Sequence, residues 1–422
     1  KKYSEWSGFI LESEVLEEIK DEIKSKKWAL ECEISEYANS LEIDTIVTDH
    51  HLPHETEDGQ TLPKAFAILN NKKHSCNYAN KDLCGTSTIY KLICEVIRVG
   101  KERKIAGFDR LKPGYEKWLL DLVAIATISD MMPLVGENRA LAIYGLHVLK
   151  ITNRVGLQTL FKNAKVDIKK ITETDIGFTL GPRINSASRI AHPRIALSLF
   201  SQHLEEGINA AHELEELNNT RKDLTKNITK KVFKILDERI KNSKENKLPR
   251  IVVVGDRDWN VGVAGIIAQK IVEKYKVTCF VFAGSENVGA KNSEDKISEE
   301  DGEQVFKGSA RSLGDVHLVK LMSACKDAFE HFGGYVMAGG FSVNFSKVHT
   351  LENILNENIE KAKIEEEKKE RQNIFDINLK NISHDFLQAL NLIGPFGVGN
   401  EKLVFRIQNY DDAKLVRFGK SG

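Results

Sequence analysis

The sequence carries no net charge, because 61 Lys and Arg balance 61 Asp and Glu. Global charge therefore gives no support to a nucleic-acid binder, yet leaves that class open, since a local groove can be basic on a neutral protein. Cysteine pairs are missing too. The six cysteines, Cys32, Cys76, Cys84, Cys94, Cys279 and Cys325, are scattered and form no CxxC. That spacing argues against a disulfide framework and a cysteine zinc site, and fits a reducing cytosol. Long apolar runs are absent. The longest, Leu119 to Ile128, is interrupted by Asp121 and is too short to span a membrane. No apolar stretch follows Lys1-Lys2-Tyr3-Ser4-Glu5-Trp6, so no signal peptide is expected. Internal repeats are not visible.

What is present is an ordinary soluble composition, 41% hydrophobic and 29% charged, over 422 residues. That length exceeds a single core and predicts two or three domains. Leu11, Val15, Ile19 and Ile23 lie four apart, which predicts an amphipathic helix over Leu11–Lys26. A second helix is expected over Ile34–Leu41. The β-branched run Ile43–Thr48 predicts a strand ending in Asp49-His50-His51. Helices follow around Thr86–Val99 and Tyr115–Ala126, and this alternation predicts a parallel α/β sheet. Leu204–Asn242 reads as a long polar helix, suited to a solvated connector. Arg250–Val254 and Thr278–Phe282 read as buried strands flanking a helix over Gly265–Tyr275, the start of a second α/β domain. Ser285–Gln304 reads as a surface loop, and Leu351–Gln372 as a charged helix.

Five segments carry chemistry. Asp49-His50-His51 places a carboxylate and two imidazoles at the C-terminal end of a strand, where open α/β sheets bind ligands. Such donors suit Mn²⁺ or a related divalent ion, although the histidines could equally cap the strand end. Asp121 to Arg139 buries an apolar helix and then exposes Asp130 ahead of Pro133; a solvated helix end is the alternative. Gly181 to Ile190 holds Arg183, Asn185 and Arg189 on a Gly/Pro/Ser-rich stretch read as a loop, suited to phosphate oxygens or to plain solvent. In the second domain, Trp259–Ile266, Gly308–Ser312 and Phe332–Phe341 combine paired glycines with Ser309, Arg311, Gly333, Gly334 and Tyr335. Glycines let backbone amides approach a phosphate, or simply serve tight turns. Last comes Leu392 to Glu401, with Gly394-Pro395-Phe396-Gly397 and Gly399-Asn400.

Taken in order, the five segments resemble the DHH-type metal-dependent phosphoesterases, and the RecJ branch in particular through Ile125–Leu146. The resemblance implies an α/β fold with a parallel-sheet DHH domain over 1–200, N-terminally incomplete, and a helical connector over 201–246. A smaller α/β DHHA1 domain over 247–350, a charged helix over 351–374 and the beginning of an OB-type β-barrel over 375–422 would follow. By resemblance His50 and Asp130 are metal ligands, with Asp49 and His51 in or beside the first coordination shell. Arg183, Asn185 and Arg189, with Ser309, Arg311, Gly333, Gly334 and Tyr335, would hold the strand. The family usually has His where Asn260 and Tyr335 stand. Tyr335 can still donate a hydrogen bond or stack on a base, but cannot become cationic.

The implied activity is 5′-to-3′ removal of nucleotides from single-stranded DNA with two Mn²⁺ or Mg²⁺ ions, in DNA repair and recombination, in the cytoplasm and away from membranes. A single-strand-binding protein or a helicase is the implied protein partner. The alternatives are a DHH/DHHA1 phosphodiesterase for short oligonucleotides or cyclic dinucleotides, and a non-catalytic DNA-binding scaffold that has lost its metals. The family pattern also calls for an Asp-x-Asp pair before residue 1, and for an Asp between Lys26 and Ile34. There the chain reads Ser25 to Glu33, with Glu31 as a candidate substitute. His50, Asp130 and their neighbours alone are short of carboxylates for two divalent ions.

Overall fold

The computed structural model describes residues 27–56, 59–201, 203–285, 305–364 and 374–408. Its elements begin with α1 (Lys27–Ser40), β1 (Ile46–Asp49), β2 (His54–Thr56), β3 (Gly59–Thr61), β4 (Ala67–Asn70), α2 (Gly85–Glu102), α3 (Leu120–Ser129), α4 (Gly136–Leu149) and α5 (Val155–Asn163). Then come α6 (Gly181–Ile190), α7 (Leu204–Asn242), β5 (Ile251–Asn260), α8 (Val261–Tyr275), β6 (Thr278–Ser285), β7 (Val305–Arg311), α9 (Leu318–Ala324), β8 (His331–Gly334), β9 (Ala338–Asn344) and α10 (Phe345–Glu357). The described chain closes with β10 (Ile374–Asn378), α11 (His384–Ile393) and β11 (Val404–Gln408); shorter helical turns carry no label. The expected helix over Leu11–Lys26 and most of the expected loop over Ser285–Gln304 lie outside the described residues. No described helix is long and apolar enough to cross a membrane.

The chain forms two units. Unit I comprises residues 43–153, 166–181 and 368–422; unit II comprises 1–42, 154–165 and 182–367. In unit I, β1 and β4 pair in parallel, from Ile46 opposite Ala67 to Asp49 opposite Asn70. The strand starts three residues later than predicted and runs to Asp49, so His50 and His51 leave it at its C-terminal end. α2 packs on β1 and on α3, and α3 packs on α4. Leu83, Tyr90, Leu120, Val123 and Leu141 form the core between these helices. Gly145 sets how closely α3 and α4 approach: a Cβ there would stand 2.2 Å from the Leu120 carbonyl oxygen.

Unit II is built on a mixed sheet in the order β5-β6-β7-β9-β8, in which only β5 and β6 run parallel. Side chains alternate across it. Ile251, Phe280 and Phe306 pack with Leu321, Met322, Leu351 and Leu355 of α9 and α10. Val252, Val254, Cys279 and Val281 pack with Ile267 and Ile271 of α8 and with Val232 and Leu236 of α7.

Three expectations change. α7 spans the predicted residues but is no solvated connector: it buries Ala211, Leu214, Val232 and Leu236 and packs on α5 and α8. The helix predicted over Leu351–Gln372 begins at Phe345 and stops at Glu357, where the Asn358 amide donates to the Ile354 carbonyl and satisfies a helix-end acceptor. Residues 365–373 lie outside the described ones. At the C-terminal end, β10 and β11 pair in parallel with α11 between them. No closed OB-type barrel is found among the described residues. The interval in which a second acidic motif was sought lies in α1 from Lys27 onward.

Candidate metal and phosphate sites

The unit I site is assembled at the edge of β1. Asp49 is buried; its Oδ1 accepts from the Nδ1–H of His51 at 2.7 Å and its Oδ2 from the His51 backbone N–H at 3.1 Å. Burial alone would raise the Asp49 carboxyl. The His51 ring and the backbone N–H groups of His50 and His51 outweigh it and hold the group below the usual carboxylate value. Asn70 donates to the His51 carbonyl at 2.9 Å and pins the turn that leaves the strand. With Nδ1 committed to Asp49, Nε2 of His51 is left as the basic nitrogen.

His50 reaches a different carboxylate. Its Nε2 lies 3.3 Å from Oδ2 of Asp130, which caps the C-terminal end of α3. Burial holds the His50 imidazole below its usual value against the pull of Asp130, so near neutral pH its ring nitrogen keeps a lone pair for a cation. The ring packs over the start of α2, 3.6 Å from where a Cβ on Gly85 would be. Asp49, His50 and His51 offer ligand atoms within 4.8 Å of one another. Two imidazoles and two carboxylates fit a divalent ion of the Mn²⁺ or Mg²⁺ kind. Two ligand atoms about 3 Å apart are what one octahedral ion with about 2.1 Å bonds requires.

The second constellation lies in unit II. α6, read from sequence as a loop, is a helix; Pro182 sits in its first turn, where a missing N–H costs nothing. Arg183 is committed, with its Nε 2.6 Å and its Nη2 3.2 Å from the two carboxylate oxygens of Glu215 on α7. Asn185 is exposed. Arg189 donates from Nη1 to the Gly262 carbonyl at 2.9 Å. Arg311 donates to the Ser309 hydroxyl at 2.9 Å, and both lie beside the first turn of α8, at 3.0 and 3.1 Å from a Cβ placed on Gly265. Asn260 caps that helix: its side-chain oxygen accepts from the Gly262 N–H at 2.8 Å. Its amide nitrogen is buried without a partner.

Sequence reading missed Arg221 of α7. Its guanidinium donates to Asn218 at 2.9 Å, and its Nε is buried without a partner. Burial lowers the Arg189, Arg221 and Arg311 guanidiniums below their ordinary value, and Arg189 lowers both of the others further. Among the described residues, none of the three forms an ion pair with a carboxylate. Half-buried cations without acids beside them suit an anion, because burial leaves their charge poorly solvated.

Ser309, Gly340 and Gly333 share one row of the sheet across β7, β9 and β8. Gly334 has φ 143°, and a Cβ there would meet the Ala338 carbonyl oxygen at 2.4 Å, so the hairpin needs glycine; a Cβ on Gly333 would meet open space. Tyr335 follows at the tip, 64% exposed.

A strand-end Asp-His-His against a helix-end Asp, on a chain that also carries a second α/β unit with a cluster of arginines, is the arrangement that the resemblance to the DHH class implies. No family model matches the chain. It is 33% identical over 390 residues to the single-stranded-DNA-specific exonuclease RecJ of Bacillus subtilis (strain 168), covering 91% of this chain and 44% of that protein. It is 32% identical over 321 residues to the protein of the same name from Escherichia coli (strain K12), covering 74% of this chain and 51% of that one. The chain thus spans about half the length of the curated relatives it matches. Among solved structures, RecJ from Thermus thermophilus in complex with Mn²⁺ matches 88% of this chain and 50% of its own, with TM-score 0.66 and 23% identity, which speaks to the fold. The chain belongs to the RecJ type of the DHH superfamily.

Proposed function

We propose that this chain hydrolyses phosphodiester bonds as the metal-binding and strand-holding part of a RecJ-like 5′-to-3′ exonuclease for single-stranded DNA, acting in repair and recombination in the cytoplasm. The observation that carries this reading is the 3.3 Å approach of His50 and Asp130, brought together from far apart in the chain. The RecJ names of the relatives support the substrate. His50 and Asp130 would hold a Mn²⁺ or Mg²⁺ ion, with Asp49 and His51 beside it. Such an ion, when bound, polarises a phosphoryl oxygen and acidifies a water. His51, oriented by Asp49, takes or gives a proton at Nε2. Arg189, Arg311 and Ser309 bind phosphate oxygens, and Tyr335 offers a face for a base. Arg183 is bound to Glu215 and plays a supporting part; Asn185 is free to face solvent or a strand. An OB-type groove, a single-strand-binding protein and a helicase belong to the same reading.

The two-carboxylate donor set favours one rival, a DNA-binding scaffold without resident ions. Metal analysis of the purified full chain separates them: one or two Mn²⁺ per chain removes the scaffold. Degradation of a long 5′-labelled single strand, compared with its duplex and with a dinucleotide, tests the substrate. Cleavage of the dinucleotide alone would replace the exonuclease reading by an oligonucleotide phosphodiesterase.

A further inference from the structure

Asp130 stands at the start of a turn that sets a non-glycine residue in the left-handed conformation. Beyond α3, the Met131 N–H bonds to the Ile128 carbonyl at 3.2 Å and the Met132 N–H to the Thr127 carbonyl at 3.0 Å. This paired closure ordinarily places glycine at the residue after the cap. Here that residue is Met131, at φ 55° and 70% exposed. A side chain disfavours the left-handed conformation, and such a conformation persists where the surroundings impose it.

The surroundings come from the far end of unit I. The Leu134 N–H donates to the Val398 carbonyl at 2.7 Å. Arg139, in the first turn of α4, donates from Nη2 to the carbonyls of Ile393 at 2.8 Å and Gly394 at 3.1 Å, the former 254 residues away in sequence. Asn400 donates to the carbonyls of Ile393 and Pro395 at 3.1 and 2.8 Å, and its backbone exchanges two bonds with Gly397, so this loop is closed on itself. A Cβ on Gly397 would stand 2.8 Å from Leu134 Cδ1, and one on Gly399 3.2 Å from Val135 Cγ1. Leu134 is 2% exposed. The glycines let the loop press directly against residues 133–135.

We propose that the Gly394–Asn400 loop is a positioning element for Asp130, and that Arg139 and Asn400 are the residues that set how tightly the His50–Asp130 pair holds a divalent ion. The proposal rests on the metal reading above. It gives this motif a role distinct from the OB-type barrel that the resemblance implied for this part of the chain. Neither residue touches a reacting atom; both act through the backbone of the turn that carries Asp130.

Mn²⁺ titrated into the full chain, with free Mn²⁺ followed by electron paramagnetic resonance, tests it. Arg139→Ala and Asn400→Ala are each expected to weaken Mn²⁺ binding by about tenfold, the size seen when groups supporting a ligand are removed. Combined, they should cost less than the product, because they serve one loop. Arg139→Lys keeps the charge without the planar fork and should recover only part of the loss. Binding of a 5′-phosphorylated oligothymidylate in EDTA should not change. Asp130→Asn in the same titration reads the metal site itself. If it leaves Mn²⁺ binding intact, the metal reading falls and this proposal with it. If it abolishes binding while folded Arg139→Ala and Asn400→Ala bind Mn²⁺ like the unaltered chain, the metal site stands and the positioning role is overturned. A lowered melting temperature with unchanged Mn²⁺ affinity overturns it in the same way. Should Arg139→Ala fail to fold, Asn400→Ala and Gly397→Val carry the decision.

Discussion

The β1 edge of unit I and the arginine cluster of unit II solve opposite electrostatic problems. At the β1 edge, imidazoles and carboxylates already satisfy one another, through His51 with Asp49 and His50 with Asp130. Its groups are poised for a cation that would exchange one set of partners for another. In unit II, Arg189, Arg221 and Arg311 are half-buried with no carboxylate paired to them among the described residues, and burial lowers all three guanidiniums. The first site is balanced by its own groups. The second keeps positive charge that none of its neighbouring carboxylates offsets among the described residues, which is what a bound anion would relieve in the proposed reading.

If this contrast is right, the two sites fail separately. His50→Ala should lower cleavage of single-stranded DNA by at least about 100-fold while strand binding without metal persists; loss of both together would erase the division. Arg189→Ala or Arg311→Ala should weaken strand binding by roughly 10- to 100-fold, the worth of a charge-assisted hydrogen bond or two. Mn²⁺ binding should stay unchanged. Each should also reduce the slope of log affinity against log salt by about 0.7 for every phosphate left without its cation. Arg183→Ala should move that slope little, because Glu215 already balances its charge. The smallest effects concern backbone alone. Gly334→Ala should destabilise the chain by about 1–3 kcal/mol in a denaturant melt, and Gly333→Ala by about 0.5 kcal/mol or less.

The β1 edge was legible because its chemistry is written in adjacent letters. Asp49-His50-His51 ends a β-branched run, and Asp130 ends an apolar one, so both appear as polar residues at the end of buried elements. Two of the five strands of the unit II sheet were equally plain, since Arg250–Val254 and Thr278–Phe282 are buried strands on sight, whereas β7, β8 and β9 carry glycines and were read only as phosphate-binding or turn segments. The arginine cluster was legible only in part. Arg189 and Arg311 stood out in Gly- and Ser-rich segments, whereas Arg221 sits in a helix crowded with Lys and Glu, and only its neighbours in space distinguish it. α6 was misread because Gly181-Pro182 resembles a loop, although proline is at home in a first helical turn. α7 was bounded correctly and misjudged in burial, because its apolar stripe is diluted by charge on the other faces. That Arg183 is committed to Glu215, and that Leu134 meets Val398, are facts of tertiary contact with no local trace.

The bond from Leu134 to Val398, and those from Arg139 to Ile393 and Gly394, carry a consequence for biosynthesis. A ribosome adding about 5–20 residues per second delivers the loop some 10 to 50 s after the turn it braces. Throughout that interval a nascent chain carries the proposed cation ligands on an unbraced segment. In the proposed reading the metal centre matures only once this loop has been made, and a message that stops short of it would yield a protein able to grasp a strand before it can cut one.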